Sequence, residues 1–196
     1  MKNRGRLFIV AAPSGAGKTS VVTNAISKLR QTIPIERVVT LTTRPQRPGE
    51  TDGVDYHFLS QKEFLKRKDA GFFIETTKYN DHYYGSPSSI IQDMKNGKSF
   101  ILITDTAGAN NFKKNIIPDA IMIWITVSSI EELRKRLEKR KTDSPEIVEK
   151  RLKIAHYEMA RETKEKNFKY HVQNNNLDNA VNDIIKIIKQ NLEVKP

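Results

Sequence analysis

The stretch Leu7-Phe8-Ile9-Val10-Ala11-Ala12-Pro13-Ser14-Gly15-Ala16-Gly17-Lys18-Thr19 constrains this chain more than any other. A continuous apolar run ends in a loop of small residues closed by Gly-Lys-Thr. Val21, Val22, Ala25, Ile26 and Leu29 then recur at helical spacing. That order is strand, phosphate-binding loop, helix. Backbone N–H groups of the loop converge on phosphate oxygens, and the helix adds the positive end of its dipole. The candidate triphosphate-binding residues are therefore Ala12, Pro13, Ser14, Gly15, Ala16, Gly17, Lys18 and Thr19. Lys18 reaches the β- and γ-phosphates, and the Thr19 hydroxyl is a ligand for Mg²⁺. Ala12 stands where the pattern has Gly, which gives up freedom at positive φ.

Further elements follow from the same reading. The pattern predicts a first helix over 18–30, a short strand over 38–40 and a stiff basic loop over 44–50. From 56 to 85 it predicts a small α+β insertion. This holds a strand over 56–59, a helix capped by Ser60 with Glu63 in capping-box position, strands over 72–74 and 76–79, and a turn back over 82–85. A helix starts at Ser86-Pro87 and ends at Gly97. Residues 100–103 and 121–127 are apolar runs suited to strands buried on both faces. Helices over 129–140, 145–166 and 177–192 and a short strand over 170–173 complete the chain. Strands alternating with helices make an α/β fold with a parallel sheet core flanked by helices, and ligands gather at the carboxyl ends of its strands.

Composition narrows the chemistry. No cysteine is present among the 196 residues, which excludes disulfides, thiolate catalysis and Cys-ligated zinc. No apolar run approaches the roughly 20 residues needed to span a bilayer, and the cytoplasm is the expected location. Net charge is +11, from 34 Lys and Arg against 23 Asp and Glu. The lysines are scattered and not interleaved with aromatics, so the excess reads as a solvated surface and not as a nucleic-acid platform. His57, His82, His156 and His171 are too dispersed to read as a metal site, and Trp124 reads as core.

The segment Thr42-Thr43-Arg44-Pro45-Gln46-Arg47-Pro48-Gly49-Glu50 places two arginines on a stiff loop. Arg44 and Arg47 can clamp a phosphate monoester through charged, fork-shaped hydrogen bonds, with Tyr56 and Tyr84 as hydroxyl donors. With Gly53 to Phe58, Phe73-Ile74-Glu75, Tyr83-Tyr84-Gly85-Ser86 and Val172 to Asn174 in the same order, the chain resembles guanylate kinase over nearly its whole length. The resemblance implies ATP and GMP as substrates, ADP and GDP as products, and Mg²⁺ with the ATP. It puts Thr40, Arg44, Arg47, Tyr56, Glu75, Tyr84, Ser86 and Asp105 at GMP-contacting positions. Lys18, Arg44 and the lid arginines Arg136, Arg140 and Arg151 fall near the transferring phosphoryl group, and Asn174 near the adenine. The implied division is a core of 1–35, 87–135 and 152–196, a GMP-binding part of 36–86 and a lid of 136–151. The chemistry agrees: guanine N1–H and the 2-amino group form a donor pair for the Glu75 carboxylate, and O6 accepts from Ser86.

One segment departs from the family. Ile103 and Ala107 stand where its pattern has an acid and Gln, leaving Asp105 as the only carboxylate expected at that strand end, for guanine, for a Mg²⁺-bound water, or for both. Two other readings remain at this point: a related kinase with another phosphorylated acceptor, and a guanylate-kinase-like module that binds without catalysis.

Overall fold

Strand β1 (Leu7–Ala11) is buried along its whole length, so the sheet that contains it must be covered on both faces. The computed structural model describes residues 4–79, 81–139 and 143–192. In it, β1 is the centre of a five-stranded sheet with β2 (Ile35–Arg37), β7 (Ser99–Ile103), β8 (Ile121–Thr126) and β9 (Tyr170–Gln173), in the order β2-β7-β1-β8-β9. All four pairings are parallel. Alternate residues of β1 feed two separate cores. Phe8 and Val10 pack with α1 (Lys18–Leu29), α5 (Ile130–Lys139), α6 (Pro145–Glu165) and α7 (Leu177–Leu192). Leu7, Ile9 and Ala11 pack with Ile90 and Met94 of α3 (Ser89–Lys95), and with Phe112, Trp124 and Phe168.

A second sheet carries the insertion. Its order is β4-β3-β6-β5, from β3 (Leu41–Thr42), β4 (His57–Phe58), β5 (Phe73–Tyr79) and β6 (His82–Pro87). Helix α2 (Gln61–Asp69) begins as expected, with the Ser60 side chain accepting from the Glu63 N–H. Phe64 of α2 stacks on Phe73 and Tyr83, which ties the helix to the β5–β6 hairpin.

Four expectations are corrected. The strand expected at 38–40 is instead two strands on either side, β2 in the first sheet and β3 in the second, so these residues join the two sheets. The two strands expected at 72–74 and 76–79 are one strand, β5, with a register shift between Phe73 and Glu75. The turn expected at 82–85 is strand β6, which runs on through Ser86 and Pro87, because Pro87 pairs with Phe73 at the ladder's end. Helix α3 therefore begins after Ser88 and not at Ser86. Sequence patterning also passed over α4 (Thr106–Asn111) and the π-helical turn that continues it (Phe112–Ile116).

Neighbouring β1 on its two sides are β7 and β8, which enter the sheet much later in the chain. The crevice at the carboxyl end of β1 is where such a sheet binds ligands. The phosphate loop leaves β1 there, and Asp105 follows β7 at the same end.

Candidate active site

In the loop between β1 and α1, only Gly15 (φ 90) and Gly17 (φ 85) take left-handed conformations. Ala12 needs none, so the absent glycine costs the loop no freedom that it uses. Ala12 is buried against the core, and its carbonyl accepts from Lys18 Nζ at 2.8 Å. Gly17 is required twice over: besides its φ, a Cβ there would lie 2.6 Å from Asn174 Nδ2. Ala12, Pro13, Ser14, Gly15, Gly17, Lys18 and Thr19 line one deep cleft, whereas Ala16 is buried beneath it.

The same cleft is lined by all eight residues expected on the acceptor side: Thr40, Arg44, Arg47, Tyr56, Glu75, Tyr84, Ser86 and Asp105. The hairpin explains two of them. The register shift in β5 sets Glu75 directly opposite Ser86 on β6, so a carboxylate and a hydroxyl lie side by side. A bulge next to a site re-aims a side chain in this way. Glu75 is 9% exposed, and its Oε1 is buried without a hydrogen-bond partner. Burial, then the charge of Asp105, pushes its carboxyl up to about 7. An acceptor held in that condition is suited to a ligand that brings donors.

Above this pair sits the arginine loop. Arg44 Nη2 is 2.6 Å from Glu50 Oε1, while Glu50 Oε2 accepts from the Arg47 N–H at 2.8 Å. The Arg44 guanidinium lies 5.4 Å from the Tyr56 ring centroid. Burial lowers its affinity for a proton, but the bond and charge of Glu50 outweigh that and raise it. Arg47 moves the other way, lowered by burial and then by the neighbouring charges of Arg44 and Arg151. Three cations thus converge on one side of the cleft, a place for an anion with more than one negative charge. Arg151 lines the cleft and forms an ion pair with Asp143 at 2.8 Å, angled off the hydrogen-bond direction.

At the end of β7, Asp105 caps α4, its Oδ1 accepting from the Gly108 N–H at 2.7 Å. It is not the only carboxylate there, contrary to expectation. Glu158 of α6 lines the cleft beside it and accepts from Thr106 Oγ1 at 2.8 Å. Sequence reasoning missed Glu158 because it lies in a heavily charged helix, where one inward carboxylate looks like its solvated neighbours. The signal was its spacing. Glu158 is seven residues after Arg151, two helical turns on, hence on the same face.

Two expected residues lie just outside the cleft lining. Arg136 is held by Glu132 Oε1 at 2.7 Å and by the backbone carbonyl of Asn174 at 2.7 Å. Asn174 is 5% exposed, and its Nδ2 donates to the Ala16 carbonyl at 2.7 Å, bracing the phosphate loop from behind. Arg140 lies outside the described residues. Among the described residues no group of three or more His, Cys, Asp or Glu is placed to hold a metal by itself.

Comparisons with known proteins agree with one another. A family model described as Guanylate kinase matches residues 4–191. The chain is 41% identical over 187 residues to the guanylate kinase of Coxiella burnetii, covering 95% of this chain and 87% of that one. It is 36% identical over 187 residues to the guanylate kinase of Thermotoga maritima, again covering 95% and 87%. A crystal structure of guanylate kinase from Anaplasma phagocytophilum matches with a TM-score of 0.78 at 26% identity, over 100% of this chain and 90% of that one.

Proposed function

The chain belongs to the guanylate kinase family, and from that premise we propose how its residues divide the transfer of the γ-phosphoryl group of ATP to GMP. The observation that carries this reading is the buried, unpartnered Oε1 of Glu75 opposite Ser86, in one cleft with Lys18. Guanine offers Glu75 two adjacent donors, and its O6 accepts from the Ser86 hydroxyl. Adenine has no N1–H and carries an amino group in place of O6, so it leaves the carboxylate underpaired at a cost of about 1–3 kcal/mol.

Arg44 and Arg47, with Tyr56 and Tyr84, bind the GMP phosphate. That phosphate is already ionised at neutral pH, so its oxygen attacks without a strong general base. Thr40 and Asp105 complete the acceptor side. The loop amides and Lys18 hold the ATP phosphates, and Asn174 serves the ATP side through the loop it braces. Arg151, with Arg136 and Arg140 from the lid, spreads charge on the transferring group once the lid closes.

The donors near the triphosphate are hard oxygens, Thr19 with Asp105 through water, a set that fits Mg²⁺ brought in with ATP. When bound, that ion neutralises charge on the phosphates. We assign residues 36–86 to GMP binding, 136–151 to the lid and the remainder to the core, noting that β2 of the core sheet runs on to Arg37. A cytoplasmic location accompanies this reading. Among the described residues no helix is long and apolar enough to cross a membrane.

The test offers ATP and Mg²⁺ with GMP, dGMP, AMP, CMP or UMP and follows ADP release. GMP should exceed AMP by at least about 10-fold to 100-fold. Equal rates for the two would overturn the assignment of Glu75 and Ser86.

A further inference from the structure

Glu158 has no role in the division above, yet it reaches the reacting side of the cleft from α6. Its oxygen is fixed by Thr106 Oγ1 at 2.8 Å, from a threonine only 6% exposed. Thr106 follows directly on Asp105, and the side chain at the end of β7 is Ile103, also on the cleft. A carboxylate from a distant helix therefore joins Asp105 at the strand end, where position 103 supplies none. Burial, the largest influence, pushes its carboxyl up; the bond from Thr106 and the charge of Lys18 favour the ionised form without offsetting that, and the charge of Asp105 adds to the rise. Lys18 in turn donates to the Ala12 carbonyl at 2.8 Å. An ammonium on a flexible four-carbon stem has three rotatable donors and no fixed fork, so its direction is set by the charged groups around it.

We propose that Glu158 is a positioning residue for Lys18: held by Thr106, its carboxylate aims the ammonium across the end of β7 toward the phosphates undergoing transfer. The inference rests on the reading of Lys18 as the phosphate-binding lysine. Because α6 also carries Arg151 two turns earlier, one helix face then bears both a cation for the transferring group and the carboxylate that aims Lys18. A counter-ion for Lys18 competes with ATP in the ground state, so it improves geometry at some expense of affinity.

Glu158→Gln keeps an oxygen for Thr106 and nearly the same volume but removes the charge. It should lower kcat by about 10-fold to 100-fold, while ATP binding measured calorimetrically without GMP stays equal or tightens. Thr106→Val should move kcat in the same direction by less. In a Lys18→Met background, residual transfer followed with labelled γ-phosphate should show no further loss from Glu158→Gln, because the two act as one unit. A kcat unchanged within twofold in Glu158→Gln overturns the proposal. So does a loss of the same size in both backgrounds, or weakened ATP binding with a lowered Tm, which would mark Glu158 as packing only. If Lys18→Met itself leaves ATP binding and transfer intact, the phosphate-loop reading fails, and the inference with it.

Discussion

Glu75 carries a buried carboxyl oxygen that has no hydrogen-bond partner in the free protein. Its carboxyl, at about 7 against an ordinary 4.5, is raised by burial and by Asp105. A group with its folded value raised contributes stability that is fully present below the unfolded value and lost as pH rises through the folded one. Between pH 5 and pH 8, therefore, ionising Glu75 should cost the free fold of order 1–3 kcal/mol. Glu75→Gln should raise the Tm of the free protein at pH 8, leave it nearly unchanged at pH 4, lower kcat/KM for GMP by about 10-fold or more, and leave ATP affinity near normal. GMP binding should tighten from pH 6 to pH 8 in the native protein, as the acceptor form of Glu75 fills, and in that variant the slope should shrink to the part left by the second ionisation of the GMP phosphate, ordinarily at about 6. Asp105→Asn keeps a good N-cap acceptor for α4 but removes the nearby charge, so the same GMP profile should shift to lower pH. Isothermal titration across pH reads the ATP and GMP affinities, thermal unfolding the Tm values and steady-state kinetics kcat/KM. An equal slope in the native protein and in Glu75→Gln would exclude Glu75 as the titrating acceptor. Most of this chemistry was legible in the residue types of the acceptor motifs. What residue types do not carry is burial, and burial is what raises the Glu75 carboxyl.

Among the elements, legibility followed periodicity. Helices α1, α6 and α7 have clear apolar stripes, and their ends fall within a residue or two of expectation. Helix α4 has almost none, since Thr106-Ala107-Gly108-Ala109-Asn110-Asn111 gives no period to read. It forms because Asp105 caps it and because Ala109 and Phe112 find a core already built by β1 and β8. The β5 bulge was visible only as an apparent gap between two strands, at the place where Glu75 is turned to face Ser86. Ser86-Pro87 looked like a helix start by local preference, and the hairpin's ladder overrode it. The phosphate loop has the tightest demand. Gly17→Ala must accept an unfavourable φ of 85 and a contact of 2.6 Å with Asn174. It should weaken ATP binding at least about 10-fold, with GMP binding much less affected, as titration with each nucleotide alone will show.

For the whole molecule, the two sheets meet at one cleft, one ending in the loop before α1 and the other carrying Glu75 and Ser86, with Arg151 and Glu158 of α6 lining it as well. The net charge of +11 gives the molecule a positive field toward two polyanionic substrates. Raising salt from about 50 mM to about 500 mM should therefore raise KM for ATP and GMP severalfold with a smaller change in kcat. Steady-state kinetics at fixed Mg²⁺ will check this, and an unchanged KM would mean that local contacts alone draw in the nucleotides. Each nucleotide should also raise Tm by linkage, about 2.7 kcal/mol of stabilisation at 100 times its Kd.

The brace behind the phosphate loop sets an order of events. Ala16 and Asn174 are joined across 158 residues. The loop leaves a ribosome 158 residues before the side chain that props it up. A nascent chain stalled before residue 174 should fail to retain ATP, although every residue of the loop has already been made. The nucleotide can thus report on the docking of β9 beside β8, which brings Asn174 up behind the loop.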